Sequence, residues 1–132
     1  MLASPISMFR RFFGRRAPPV ADRIALRDFL ASEAAFVAQK CTVEYCRARS
    51  GLLWSKLFKE KSFADGLEAC RWESYAAVLS DLAVIAEGKL RGGGADGAVL
   101  AEALAGVVRE ALASFGPPPH RAGWGEVEDA MD

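Results

Sequence analysis

Four sites of helix-breaking residues divide this chain, and between them the apolar residues recur at helical rather than alternating spacing. Pro18 and Pro19 close a basic leading segment. Gly51 interrupts the first long periodic run, Arg91-Gly92-Gly93-Gly94 opens a flexible turn, and Gly116-Pro117-Pro118-Pro119 ends the last run. The intervening stretches predict helices over about 20–50, 52–60, 63–90 and 98–115. No alternating run and no β-branched cluster bounded by turns suggests a strand. The expected fold class is therefore all-α, a small bundle of three long helices and one short helix with disordered N- and C-terminal tails. Its expected parts are a basic aromatic arm (1–19), a bundle domain (20–116) and a Pro/Gly-rich acidic tail (117–132).

Local signals support those boundaries. Ser62 precedes Phe63, with Asp65 three residues on, an arrangement like a capping box with Asp in place of Glu. Asp96 before Gly97-Ala98-Val99 is a second N-cap candidate, and Gly116 stands where a left-handed C-cap is expected. On a 100° wheel, Phe63, Leu67, Cys70, Ala77, Val78, Leu82 and Ile85 of the third helix share one arc, extended along a flank by Trp72, Tyr75, Leu79 and Leu90. Glu73, Ser80 and Glu87 make its solvent stripe. Arg71 and Asp81 fall inside the arc, too far apart to pair, so each needs another partner or the surface. In the fourth helix Leu100, Leu104, Val107, Val108 and Ala111 share a face.

At 132 residues the chain is one domain at most, large enough to hide roughly two-thirds of its unfolded surface. Seventeen basic and seventeen acidic residues balance, which argues against a protein that wraps nucleic acid. The charge is uneven along the chain, however. Residues 8–16 carry four arginines and no acid, whereas Glu126, Glu128, Asp129 and Asp132 sit near the other end without a base. The two ends could attract each other.

Phe9, Phe12 and Phe13 would share one side of a helical turn, leaving Arg10, Arg11, Arg15 and Arg16 for solvent or lipid phosphate. Three readings stand: an interfacial anchor on anionic lipid, an organellar transit peptide, and a disordered basic terminus. A secretory signal is excluded, because no apolar stretch of the required length follows Arg10-Arg11.

Cys41, Cys46 and Cys70 read as reduced thiols acting as small apolar residues, and Cys-x4-Cys is not a zinc spacing. The chain's single histidine, His120, sits beside the prolines, which leaves no Ser-His or Cys-His pair within the bundle. Glu-x-x-His pairs for a di-metal bundle are lacking, and Asp96 after the glycines would repel a phosphate. No cofactor or metal is expected.

Three features are candidates for binding. On the first helix, taking Glu33 as zero, Lys40, Glu44 and Arg47 fall at about −20°, +20° and −40°. This charged strip is flanked by Phe29, Phe36 and Val43 on one edge and by Leu26, Leu30, Val37 and Cys41 on the other. It reads as the floor of an interface for a second helix, or as a Lys40–Glu44 salt bridge where the helix leaves the core. The apolar, basic piece 52–61 reads as a connector tucking Leu53, Trp54, Leu57 and Phe58 into the bundle, or as a second membrane contact. The tail carries Trp124 among glycines and acids, as a disordered end or a segment docking into a partner groove.

The functional expectation is a non-enzymatic adaptor or assembly factor, cytoplasmic, binding a protein partner or a second copy through Glu33, Lys40, Glu44, Arg47, Phe29 and Phe36. Its arm would hold it peripherally on anionic membrane. The rival is a small enzyme or ligand carrier with a pocket between helices one and three, using Cys41, Tyr45, Cys70 or Tyr75.

Overall fold

The structure, a computed structural model, describes residues 20–125 and 127. Helix α1 spans Arg23–Ser50, a 3-10 turn covers Gly51–Leu53, and α2 is a single turn, Trp54–Leu57. The long helix α3 runs Lys61–Gly92 and α4 runs Gly97–Ala113. The described residues contain no strand, so the all-α expectation holds.

Most boundaries have an identifiable chemical cause. Asp22 accepts a hydrogen bond from the Ala25 amide at 2.8 Å and starts α1. Gly51, with φ of +57°, ends it while its own amide donates to the Arg47 carbonyl. Asp96 caps α4 as predicted, accepting from the amides of Ala98 and Val99 at 3.1 Å each. Gly116 takes the left-handed conformation its position called for, with φ of +67°. The capping box expected at Ser62 is not formed. Instead α3 begins at Lys61, whose ammonium holds the Asp65 carboxylate at 2.7 Å, and that pairing takes up the group the cap would have used.

A short connection returns α3 against α1, so the two run as an antiparallel hairpin, and α4 folds back along α3. Arg91 lies beside Gly97 at one end of that second pair, and Trp72 and Phe115 meet at the other. The α1 line into the core is Leu30, Ala34, Ala38 and Thr42, spaced four apart. It meets Tyr75, Ala76, Leu79 and Ala83 of α3, and Leu104, Ala105, Val107, Val108, Ala111 and Leu112 of α4 close the third side. Thr42 is the one buried polar residue among those described, and its hydroxyl donates to Ser74 Oγ across the α1–α3 contact at 3.3 Å.

The buried face of α3 differs from the predicted arc. Its centre is Tyr75, Ala76, Leu79 and Ala83, with Trp72, Val78 and Leu82 packed at the margins. Cys70 and Ala77 are exposed, and Ile85 is 56% exposed. The predicted arc, drawn through Phe63, Leu67, Val78, Leu82 and Ile85, also swept in Cys70 and Ala77 by angle alone and left Tyr75 and Leu79 on its flank. The core instead selects positions where alanine lets two long helices approach. Arg71 resolves as required, pairing with Glu68 at 3.2 Å and donating to the Gln39 side chain at 3.2 Å, and Asp81 reaches solvent. On α4 the expected Leu104, Val107, Val108 and Ala111 are buried, joined by Ala105 and Leu112, while Leu100 is only half-buried.

The tail corrects the expectation of a free terminus. Pro118 is buried, and Trp124, only 6% exposed, lies 6.4 Å from Trp72 between ring centroids. Residues 117–125 thus extend the bundle as a strap along α3. The arm, residues 1–19, and the acidic cluster at 126 and 128–132 lie outside the described residues, as does their expected mutual attraction.

Leu79 contacts no solvent at the centre of the three-helix core. Replacing it with alanine should lower the unfolding free energy by about 2–5 kcal/mol, read as a shift in urea midpoint at unchanged slope. A loss under about 1 kcal/mol would mean that the three helices do not meet there.

Candidate functional site

The charged strip of α1 faces away from the core. Taking the mean direction of Leu30, Ala34, Ala38 and Thr42 as inward, Phe29, Phe36 and Val43 lie within about 20° of diametrically opposite, and Glu33, Lys40, Glu44 and Arg47 run along one flank of that line. The three apolar residues recur at seven-residue spacing, the repeat that lets a second helix lie alongside. Phe29 is 44% exposed, while Phe36 and Val43 are half-buried. The strip is therefore an outer rail, and the contacts within it differ from the expected Lys40–Glu44 bridge. Lys40 lies over the Phe36 ring at 6.0 Å, and Glu44 pairs with Arg47 at 3.7 Å. Burial pushes the Glu33 carboxyl above its usual range, since this partly covered group lacks the full hydration a carboxylate prefers.

Arg47 also lies over the Trp54 ring, 4.7 Å from its centroid, and so links the rail to the hairpin tip. The tip corrects the connector expectation. Leu52 is 98% exposed, Leu53 61% and Trp54 40%; only Leu57 and Phe58 are half-buried, with Phe58 edge-on to Trp54 and stacked on Phe63. Three rings pack on one another and leave the two leucines outside.

On the opposite side of the molecule the strap forms a second constellation, one absent from the sequence reading. Glu73 of α3 accepts from Arg121 Nη2 at 2.9 Å and from Arg121 Nε, and His120 Nε2 lies 2.6 Å from the same carboxylate. Arg121 further lies over the Trp124 ring at 5.4 Å. The Arg121 hydrogen bonds hold the Glu73 carboxyl below its ordinary range, with a smaller contribution from His120. These groups and Ala122, Gly123 and Gly125 line an open cleft of about 550 Å3. Glu73 was placed on a solvent stripe because nothing in the spacing of α3 shows that a basic strap from a distant part of the chain covers it. The signal that could have found it is the i,i+3 pair Arg121 and Trp124, a cation and an aromatic able to seat on one acidic helix position.

Behind the cleft Trp72, Tyr75, Phe115 and Trp124 pack ring to ring at 5.9–6.4 Å. Tyr75 Oη and Trp124 Nε1 are buried without a hydrogen-bond partner among the described residues. Burial pushes the Tyr75 hydroxyl up to about 12, so it stays protonated at neutral pH.

The residues named for an enzyme or carrier pocket between helices one and three are not brought together. Cys41 and Cys70 are exposed, Tyr45 is 65% exposed on α1, and Tyr75 turns towards α4 and Phe115. Among the described residues no group of His, Cys, Asp and Glu is placed to hold a metal, and no helix is long and apolar enough to cross a membrane. Phe9, Arg10, Arg11, Phe12, Phe13, Arg15 and Arg16, the membrane candidates, lie outside the described residues.

Because Glu73 binds its proton less readily in the folded state than in the unfolded chain, its contribution to holding the strap is present above about pH 4.5 and is lost as pH falls through its lower folded value. Tryptophan emission should accordingly stay constant down to the ordinary carboxylate range and shift to the red below it. At neutral pH, Glu73→Gln should speed tryptic cleavage after Arg121 several-fold relative to wild type, and equal rates would show that the carboxylate does not hold the strap. Comparison of the chain with protein-family models, curated proteins and solved structures returns no match.

Proposed function

We propose that this chain is a small helical adaptor or assembly factor that binds a helix of a protein partner, or of a second copy, along the outer rail of α1. The observation that carries this reading is the rail itself: Phe29 with 44% of its surface exposed on the side opposite the core, in register with Phe36 and Val43 and bordered by Glu33, Lys40, Glu44 and Arg47. An apolar line beside charges of both signs suits a partner helix, which covers the rings while opposite charges fix its register. A partially desolvated carboxylate such as Glu33 favours a cationic side chain on that partner. The phenylalanines and arginines of residues 9–16 fit peripheral attachment to the inner face of a membrane, reversible because the gain from burying the rings is offset by the cost of ordering the segment.

A photo-crosslinking amino acid at position 29 should trap one discrete adduct in cells of the source organism, whereas the same group at the exposed Glu102 of α4 should not. Combining Glu33→Lys with Glu44→Lys should abolish the adduct and leave helicity and melting temperature nearly unchanged, because neither carboxylate supports the core. Equal crosslinking from both positions, or an adduct that survives the double reversal, overturns the rail as an interface.

A further inference from the structure

The α1–α3 hairpin is longer than the core it serves. No residue from Val43 to Ser74 is buried, so beyond Thr42 the hairpin continues as a two-helix projection carrying α1 about 12 Å further before the turn. At its end Leu52 and Leu53 stand in solvent. Trp54 lies beside them, held from below by Arg47 and by the edge of Phe58. From Tyr45 to Lys59 the chain carries Arg47, Arg49, Lys56 and Lys59 and no acidic residue. The two apolar residues at the apex are aliphatic and convex, with cations behind them.

We propose that this tip is a docking site for an anionic bilayer surface, in which Leu52 and Leu53 enter the acyl boundary, Trp54 sits at headgroup level, and Arg49, Lys56 and Lys59 meet lipid phosphate. The site is distinct from residues 1–19 and does not rest on the α1 rail. Charge complementarity selects the occupant: between Glu44, which pairs with Arg47, and Glu60, the chain exposes Arg49, Lys56 and Lys59 with no acid among them, which matches an anionic surface. Cations on long stems can reach phosphate while their leucine neighbours go deeper. Shape selects it further. A projecting apex with one leucine 98% exposed needs a medium that closes around it, which a fluid acyl layer does without a preformed pocket. Nucleic acid fits less well, since aliphatic side chains provide no stacking platform. The rings of Trp54, Phe58 and Phe63 brace one another, so little ordering remains to be done on contact.

The test uses the full chain and vesicles of phosphatidylcholine with and without phosphatidylserine. Paired Leu52→Ser and Leu53→Ser should weaken partitioning onto anionic vesicles about tenfold, with unchanged circular dichroism, and paired Lys56→Glu and Lys59→Glu should do so while the leucines remain. Because residues 9–16 can contribute binding of their own, insertion of the tip is read separately, by quenching of tryptophan emission with brominated lipid. Wild type should be quenched, and Trp54→Phe should lose that quenching while still sedimenting with vesicles, since Trp72 and Trp124 remain in the core. Quenching that persists in Trp54→Phe, partitioning indifferent to the two leucines, or a lipid-free dimer that Leu52→Ser and Leu53→Ser dissolve would each overturn the proposal, the last by showing that a second copy covers the apex.

Discussion

Close approach of α1 and α3 along an alanine seam is the constraint on which the rest of the structure depends. Ala34 and Ala38 on one helix face Ala76 and Ala83 on the other, all nearly or fully buried. Small side chains at those positions let the backbones come near enough for Leu30, Tyr75 and Leu79 to pack between them. The same proximity lets the Thr42 hydroxyl reach Ser74, so that buried group is satisfied, whereas the buried Tyr75 hydroxyl has no partner among the described residues. Once the hairpin is closed, its third side is an apolar trough, and α4 supplies Leu104, Val107, Val108, Ala111 and Leu112 to cover it. Arg23 then passes over Gly106 to Glu110 at 2.9 Å. Both partners of that pair are about half exposed, so it adds little energy and serves mainly to register the start of α1 on α4.

The lengths of the helices divide the molecule into two unequal regions. A 28-residue α1 spans about 42 Å and a 17-residue α4 about 25 Å. Only the part of the hairpin beside α4 can have a core, because two helices alone leave each other half in water. The exposed leucines of the tip follow from this geometry. A sequence that needed only a stable bundle would have turned earlier or placed polar residues there. The tip's rings stack on one another rather than on the core, which keeps the apex shaped without burying it.

Element type was legible in the sequence because it depends on local chemistry: Asp96 caps α4 through its own carboxylate, and Gly116 adopts a positive φ, as their neighbours require. The facing of α1 and α3 was not legible in the same way. Apolar periodicity marks both Phe29, Phe36, Val43 and Leu26, Leu30 on α1, and Cys70, Ala77 and Ile85 on α3, whereas the seam is set by Ala34, Ala38, Ala76 and Ala83 at neighbouring angles. Hydrophobicity alone cannot distinguish an alanine that is neutral on a surface from one that sets the distance between two helices. Lys40 and Glu44 stand four apart as an ordinary helix pair, yet Lys40 lies over the Phe36 ring and Glu44 pairs with Arg47. The strap was hidden for another reason, since its contact joins Glu73 to residues almost fifty positions away, beyond any local pattern.

The strap also explains where the core stops. Helix α4 runs out at Ala113, and the chain beyond it turns on Gly116 before Pro118 and Trp124 return to α3. Prolines cannot continue the helix, and the chain instead turns at 118–121, where the Arg121 amide donates to the Pro118 carbonyl at 3.0 Å, setting His120 and Arg121 against Glu73. Trp124 lands on Trp72, next to Phe115, at the level where the buried positions of α3 begin with Tyr75. It therefore plugs the open end of the core, and Glu73 anchors it through Arg121 on the rim. Past that plug no third layer occurs among the described residues, and none of them from Val43 to Arg71 is buried. The reach of the strap, as much as the length of α4, thus fixes how much of the hairpin is left projecting from the bundle.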